Sequence, residues 1–186
     1  SIGGQSAVVK LKWGSNVSEM LVPEAQYIKF ALGENVKQSS SPNPTGRFPQ
    51  TRMGVEQVFF DHFTRAREYE RAWDSYNSMK NKIGMPAPRR DIELDAIAEI
   101  LNGKRHITCH SYIQSEINML LKVADSLGFK VNTFTHILEG YKVADKMKKH
   151  GSAGSSFADW WAYKMEVKDA IPYNAAILAK VGVLTS

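Results

Sequence analysis

The stretch RHITCH, from Arg105 to His110, alternates polar with apolar side chains and predicts a β-strand. A helical pattern follows it, and Gly128 ends this pattern as a C-terminal glycine does. Ser111 and Gln114 have the spacing of a capping box at the start of that helix. A strand, a short loop and an amphipathic helix in this order predict one complete βα unit. The apolar positions of the helix are Ile113, Ile117, Leu120, Leu121, Ala124 and Leu127.

The segment after this unit repeats its plan. Residues 129–135 predict a second strand, which ends at His136, and residues 141–150 predict a short helix closed by Gly151. Parallel βα units place consecutive strands side by side in one sheet. The repetition therefore predicts an α/β fold with a mainly parallel sheet.

The same patterns predict further elements on both sides of these two units. Residues 38–51 are rich in serine and proline, which compete for or remove backbone hydrogen bonds, so they predict a long loop. The other predicted strands are 7–13, 27–32, 162–167 and the start of one at 183–186, and the other predicted helices are 55–81, 92–102 and 173–180.

Composition excludes several classes of protein. The chain is 43% hydrophobic and 23% charged, which is the balance of a protein that folds around a core. Its one cysteine, Cys109, excludes an internal disulfide framework, and no apolar run approaches the roughly 18 residues of a membrane span. The net charge of +5 is spread along the chain, with acidic residues between the basic ones, so we expect no nucleic-acid partner. No targeting segment is visible, and the compartment stays open between the cytoplasm and export.

Two histidines are the strongest candidates for chemistry. His110 and His136 each stand where a predicted strand ends, one βα repeat apart, so a parallel sheet brings them side by side at its carboxyl edge. Two imidazoles at this edge can converge on a metal ion or a reacting group. The alternative is a pair of hydrogen-bonded loop histidines with a structural role.

A carboxylate belongs to the same edge. Glu34 follows the predicted strand 27–32 and precedes the long loop, where it can ligate or bridge a metal or act as a general base. The alternatives are a surface acid and Lys29, whose position in a regular strand has the opposite parity to that of Glu34. We favour Glu34 as the catalytic carboxylate and as the third metal ligand.

A pair of tryptophans, Trp160 and Trp161, lies in the loop after Gly151. Paired tryptophans pack in a core more often than they line a pocket, but this position allows contact with a substrate. Trp161 is therefore the candidate substrate-binding residue.

The candidate residues belong to segments that resemble a known family. The strand that ends at His110, and the segment FTHILEG from Phe134 to Gly140, resemble the fifth and sixth strands of the metal-dependent amidohydrolase superfamily, in its imidazolonepropionase-like branch. The resemblance covers most of the chain. Other segments similar to the same branch are 29–35, 51–55, 161–164 and 171–174.

The resemblance implies a (β/α)8 barrel of the TIM type that hydrolyses C–N bonds. One or two divalent metal ions, zinc above all, would activate water there, and the substrate would be a small molecule. His110 and His136 match the ligand histidines of the fifth and sixth strands. Glu34 lies near the place of a fourth-strand or bridging ligand.

The chain also departs from the family pattern. None of its five histidines forms the His-x-His pair of the first strand, and the acid after the eighth strand would follow Ser186. We therefore expect residues 1–186 to be a single partial barrel domain, about the third to the eighth strand, with an incomplete zinc site and no activity alone. Its open strand edges would be covered by a helix, by another chain or by a homo-oligomer. The alternative is a metal-free scaffold or interaction module that has the barrel layout.

Overall fold

The computed structural model describes residues 1–37, 46–157 and 162–186. Within these ranges the sheet has five strands: β1 (Ile2–Val9), β2 (Leu21–Ala31), β3 (His106–His110), β4 (Thr133–Thr135) and β5 (Ala153–Ser155). Their order in the sheet is their order along the chain. Strands β2 to β5 are parallel, and β1 is the antiparallel neighbour of β2 at one edge.

Helices connect the parallel strands, as βα units require. Two short 3₁₀ turns, Gly140–Lys142 and Met165–Val167, lie in the loops after β4 and β5. None of the helices that the structure describes is both long enough and apolar enough to cross a membrane. The helices are α1 (Val17–Met20), α2 (Glu34–Lys37), α3 (Arg52–Ser78), α4 (Ile92–Leu101), α5 (Gln114–Leu127), α6 (Ala144–His150) and α7 (Asn174–Val181).

One face of the sheet is apolar. Ile28 of β2 aligns with Ile107 of β3. Phe30, Cys109 and Phe134 form the next row across β2, β3 and β4. All five side chains are buried, so this face is the core side of the sheet.

The opposite face is polar. Lys29, Thr108 and Thr133 form one row across β2, β3 and β4. His110 and Thr135 form a row closer to the carboxyl edge. Side chains alternate between the two faces of a strand, so the apolar core on one side leaves these polar groups on the other.

Helix α3 packs on the apolar face. The Thr51 hydroxyl accepts a hydrogen bond from the Gly54 N–H at 3.0 Å and caps the helix. The buried rings of Phe59 and Phe63 contact Phe30, with centroids 5.2 and 6.2 Å apart. The 27 residues of α3 span about 40 Å, and its buried residues lie between Gly54 and Ala66.

The predicted α/β fold with a mainly parallel sheet is confirmed. The helices predicted at 55–81, 92–102 and 173–180 are α3, α4 and α7. The strand predicted at 162–167 is wrong, since the chain forms the turn Met165–Val167 there. The parallel strand of this region is β5, which begins nine residues before that stretch. The assignment of the strands to the third to eighth strands of a complete barrel stays a prediction.

The capping box predicted for Ser111 and Gln114 is also wrong. Helix α5 begins at Gln114, and the Gln114 N–H donates to the Glu139 carboxylate at 2.9 Å. Glu139 comes from the loop after β4, so a residue of the next βα unit caps this helix. Spacing along the sequence does not reveal such a cap, because the partner is 25 residues away.

Candidate functional site

Two histidines meet at the carboxyl edge of the parallel strands. His110 is the last residue of β3, and His136 directly follows β4, the neighbouring strand. Their imidazole rings lie edge to face, with centroids 5.4 Å apart and planes at 65°. The predicted placement of the two side by side is confirmed, and their role as metal ligands stays a prediction.

The backbone at His136 has a conformation that is uncommon for a residue with a β-carbon. Its φ is +58°, and among the described residues other than glycine it alone has a positive φ. Such a conformation costs on the order of 1 kcal/mol and persists only where the surrounding structure holds it. The turn at this residue ends β4 and leaves the imidazole next to that of His110.

Both imidazoles favour their neutral form. Burial lowers the pKa of His110 below its usual value. The neighbouring His136 and Lys29 lower it further, and the Glu166 carboxylate raises it in part. Burial and Lys29 likewise lower the pKa of His136. Because both pKa values are lowered, both rings are neutral near pH 7. Neutral imidazole is the form that binds a metal ion or accepts a proton.

Aromatic rings pack against both imidazoles. Tyr112 lies edge-on to His110, with ring centroids 4.6 Å apart. Phe157 stacks on His136, with centroids 5.4 Å apart and planes within 9°. The Lys164 ammonium lies 4.4 Å from the centre of the Tyr112 ring. These contacts restrict the rotation of the two imidazoles and place them for a common task.

A buried acid that sequence analysis did not single out lies beside the histidine pair. Glu166 accepts hydrogen bonds from the Lys164 ammonium at 2.6 Å and from the Glu34 N–H at 3.1 Å. Its carboxylate is 3.1 Å from the point that a β-carbon on Gly33 would occupy, and the Nε2 of His110 is 4.0 Å from that point. Glu166 and Glu34 are 132 residues apart, so no local pattern reveals the contact.

Glu34 lies at the carboxyl edge, in a helix. Gly33, with φ at +91°, turns the chain out of β2, so the alternation of that strand does not continue to Glu34. The Glu34 carboxylate forms an ion pair with Lys37 at 2.8 Å. Lys29 is on the polar face of β2, which is also the face of His110. The roles predicted for Glu34, a metal ligand and a catalytic carboxylate, stay predictions.

No protein-family model matches the sequence, and no curated protein matches it. A crystal structure of an amidohydrolase from Thermotoga maritima is similar, with a TM-score of 0.84 and 26% sequence identity. The chain has an amidohydrolase fold. The match covers 100% of this chain and 46% of the Thermotoga maritima chain, so the chain spans less than half of that protein.

The histidine pair fits part of a metal site on this amidohydrolase fold. Neutral imidazoles are common ligands of zinc and other divalent metals, and His110 and His136 are adjacent, neutral and held in place. Within residues 1–37, 46–157 and 162–186, no three His, Cys, Asp or Glu side chains are grouped closely enough to hold a metal ion. The described residues therefore provide two ligands, and Glu34 does not complete a set of three with them. Trp161, the predicted substrate contact, lies outside the described residues.

A cleft of about 790 Å³ opens at the same edge of the amidohydrolase fold. Its lining comes from the loops and helix starts that follow β2, β3, β4 and β5. Lys164 and Glu166 line it, and Glu166 also borders Gly33. This volume lies within the range of small-molecule sites, so the cleft is large enough for a small ligand, although neither His110 nor His136 is part of its lining.

Proposed function

We propose that the chain is part of a metal-dependent hydrolase that cleaves an amide or cyclic amide C–N bond in a small molecule. The observation that carries this proposal is the contact between His110 and His136 at the carboxyl edge of an amidohydrolase fold. This is the edge where α/β barrels place catalytic residues. The sequence resemblance further supports membership of the imidazolonepropionase-like branch.

The residues that would hold the metal are His110 and His136, and Glu34, which is paired with Lys37 and is not grouped with the two histidines, would become the third ligand only on leaving that ion pair. When bound, a divalent metal such as zinc makes water a nucleophile near neutral pH. Burial and the Lys29 charge favour the neutral imidazoles, so His110 and His136 can ligate without first losing a proton. When it is not a ligand, Glu34 would act as the general base that accepts the proton of the attacking water. Trp161 would contact the substrate.

The remaining ligands are proposed to lie outside residues 1–186. The chain covers 46% of its structural neighbour, and its described residues provide no set of three metal ligands. We propose that a His-x-His pair and an acid from the rest of a barrel complete the site. On this proposal residues 1–186 form a single partial barrel domain that is inactive by itself.

The test uses a protein in which residues 1–186 are part of a complete barrel. We expect it to hydrolyse members of a panel of amides and cyclic amides, to a carboxylate and a free amine or to a ring-opened amino acid, to lose this activity with a chelator and to regain it with zinc. His110→Ala and His136→Ala abolish the activity, while His62→Gln, a change at a half-buried position of α3 outside the histidine pair, retains it. Turnover that survives both the chelator and the two substitutions would rule out the proposed mechanism.

A second candidate function is a metal-free scaffold or interaction module. It is favoured by the absence, among the described residues, of a three-ligand group. It predicts that a complete barrel containing this chain takes up no zinc and hydrolyses none of the panel. The hydrolase proposal predicts zinc uptake and hydrolysis of at least one member of the panel.

The edge strand offers a surface for a second copy of the chain. Seven of the eight residues of β1 are exposed, including Val8 and Val9, and Leu11 and Trp13 after it are almost fully exposed. Unpaired strand edges with apolar side chains tend to associate. We propose that the chain forms a homo-oligomer through this edge. Light scattering tests this by comparing the mass in solution of the wild type with that of the double variant Leu11→Lys, Trp13→Lys. A monomeric wild type would refute it.

A further inference from the structure

The two edges of the sheet differ in charge. The cleft at the carboxyl edge is lined by four acidic and four basic side chains, so its charges balance. The amino edge, where the parallel strands begin, is formed by the last turn of each of the helices α4 to α7 and by the linker that follows it. Five lysines of this edge are exposed and form no hydrogen bond or ion pair with any residue that the structure describes. These edge lysines are Lys104, Lys130, Lys148, Lys149 and Lys180.

The acidic side chains of the same segments are engaged within the protein. Glu99, in the last turn of α4, forms an ion pair with Arg105 at 2.6 Å. Asp125, in the last turn of α5, accepts a hydrogen bond from the His150 imidazole at 2.6 Å. The amino edge therefore has an excess of positive charge. Because successive βα units contribute the edge lysines, these residues are separated along the sequence and share one edge in space.

Contacts between neighbouring units show that the amino edge is one continuous surface. The Lys130 ammonium is 3.3 Å from the point that a β-carbon on Gly151, at the end of α6, would occupy. The Lys148 ammonium is 3.3 Å from the corresponding point on Gly182, at the end of α7. The carbonyl groups of the helix ends attract lysines, but they do not cancel full charges. The surface along these helix ends is therefore basic.

Helix α3 extends past this edge. Arg67 donates to the Leu127 carbonyl at the end of α5. The Asn102 amide, at the end of α4, donates to the Glu70 carboxylate. The helix thus reaches the amino edge at these residues, and it continues to Ser78, about 12 Å further. The turn that follows α3 therefore lies beyond the edge.

This turn, Lys82–Met85, exposes apolar side chains. The Met85 N–H donates to the Lys82 carbonyl at 3.1 Å, which closes the turn. Gly84 has a φ of +76°, as the third residue of a type II turn requires. Ile83, at the corner, is 89% exposed, and Met85 is 51% exposed. The structure thus holds two aliphatic side chains in solvent at a convex tip.

Basic side chains surround this apolar corner. The Lys82 ammonium lies 4.4 Å from the centre of the Tyr76 ring. Lys80 and Arg89 are exposed and form no ion pair with any described residue. Residues 79–90 contain four bases and no acid. Exposed aliphatic residues among bases are typical of segments that bind at the surface of an anionic membrane.

We propose that the amino edge of this chain binds the surface of a membrane that contains anionic lipids. Ile83 and Met85 enter the headgroup region, while the edge lysines and the bases around the corner lie against lipid phosphates. The cleft and the histidine pair, at the opposite edge, then face away from the membrane. The proposal does not rest on the hydrolase function.

The chemistry of this surface favours a lipid over a nucleic acid. Seven of its eight bases are lysines, whereas nucleic-acid sites rely on arginine and on stacked aromatic rings. The exposed corner is aliphatic, and it has no partner on a sugar–phosphate backbone. Because the corner is convex, it fits a fluid interface and needs no pocket.

The test measures binding of the 186-residue protein to lipid vesicles by cosedimentation. The vesicles contain phosphatidylcholine alone, or phosphatidylcholine and phosphatidylglycerol in equal parts. We expect binding to the anionic vesicles only. This binding should weaken when the salt is raised from about 0.1 M to about 1 M, because the Debye length falls from about 10 Å to about 3 Å.

Two double variants locate the surface. One combines Ile83→Ser with Met85→Ser and removes the apolar corner, and the other combines Lys148→Gln with Lys149→Gln. All four residues are exposed, so the fold is retained. We expect each double variant to bind anionic vesicles about tenfold more weakly or worse, since one lysine near such a surface contributes about fivefold and one buried aliphatic side chain at least as much.

Two matched controls change the opposite edge. Met53→Ser removes an apolar side chain that is 71% exposed at the start of α3. Lys168→Gln removes an exposed lysine of the cleft. Both should bind anionic vesicles as the wild type does.

Entry of the corner into the lipid is tested separately from attraction by charge. Cys109 is fully buried, so a polarity-sensitive thiol dye labels Ile83→Cys at its new thiol alone. The emission should shift to the blue with anionic vesicles and stay unchanged with phosphatidylcholine. The same dye on Met53→Cys should show no shift with either.

Several results would overturn the proposal. They are no binding to anionic vesicles, equal binding to both kinds of vesicle, full affinity in either double variant, and no blue shift at position 83. Polyuridylate or polyglutamate that binds more tightly and releases the protein from vesicles would identify a nucleic acid or an acidic protein as the partner instead. Because no metal or turnover enters these measurements, membrane binding can hold while the hydrolase function fails, and the reverse.

Discussion

The imidazole of His110 meets the imidazole of His136 edge to face, with ring centroids 5.4 Å apart. The register explains the contact: His110 aligns with Thr135 across β3 and β4, and His136 is the next residue along the chain. The contact therefore follows from the parallel order of the strands together with the left-handed backbone at His136.

We expect this pair to give the 186-residue protein weak binding of zinc. Calorimetric titration at pH 7 should show uptake by the wild type and loss of uptake in His110→Ala and His136→Ala. His62→Gln should bind as the wild type does. Uptake should fall as the pH drops through the pKa of the two rings, which lies below the usual histidine value of about 6.5, because protonated imidazole does not ligate. Equal uptake by all four proteins would show that both histidines are structural.

Lys29 lowers the pKa of both histidines, and this can be measured directly. In Lys29→Met we expect the pKa of His110 and of His136 to rise, because a positive charge that opposes protonation is lost. Burial is the larger cause for each ring, so both values should stay below the usual histidine value. An NMR titration of the metal-free protein checks this, with Lys122→Met, an exposed change on α5, as the control. Unchanged values in Lys29→Met would contradict the assignment.

These residues also show what the sequence reveals about the site and what it does not. The placement of His110 and His136 was predictable, because it depends on strand ends and repeat spacing, which are local patterns. The choice between Glu34 and Lys29 was harder. It depends on the turn at Gly33, where the strand alternation stops.

The contacts that the sequence does not reveal are long-range ones. Glu166 binds the backbone of Glu34 across 132 residues, and Glu139 caps a helix of the preceding unit. The sequence does not predict strand β5, for a different reason. Its sequence, AGS, has no β-branched residue and no alternation of polarity, and it is a strand because β4 pairs with it.

The buried ion pair between Lys37 and Glu116 should be worth more to folding than an exposed one. Both side chains are about 5% exposed, and the ammonium lies 2.9 Å from the carboxylate. We expect Lys37→Met to lower the free energy of unfolding by about 3 kcal/mol, because Glu116 stays buried with one partner fewer. Asp169→Asn breaks the more exposed pair with Lys142 and should cost much less, because water screens this pair. Urea unfolding compares the two, and equal costs would show that Glu116 is not effectively buried.

Cys109 should be inert in the folded protein. It is fully buried in β3, and burial raises the pKa of its thiol to about 12. Iodoacetamide at pH 8 should therefore label it only as fast as the protein unfolds, and at once in urea. Rapid labelling of the native protein would contradict the packing of Cys109 between Phe30 and Phe134.

The contact between Gly33 and Glu166 can be separated from the backbone cost of replacing a glycine. Gly33 has φ at +91°, and a β-carbon there would lie 3.1 Å from the Glu166 carboxylate. Gly14 has a similar φ of +78°, with no atom within 4 Å of its β-carbon position. Gly14→Ala should therefore cost the backbone strain alone, about 1–2 kcal/mol. Gly33→Ala should cost more, because the carboxylate must also move.

The excess cost should disappear when Glu166 is truncated. We expect Gly33→Ala in a Glu166→Ala background to lower the free energy of unfolding by about as much as Gly14→Ala does. Urea unfolding of the four proteins of this double-mutant cycle measures the coupling, because residues in contact are not additive. If Gly33→Ala costs the same with and without the Glu166 carboxylate, that carboxylate does not restrict the turn after β2. The turn would then depend on the backbone of Gly33 alone.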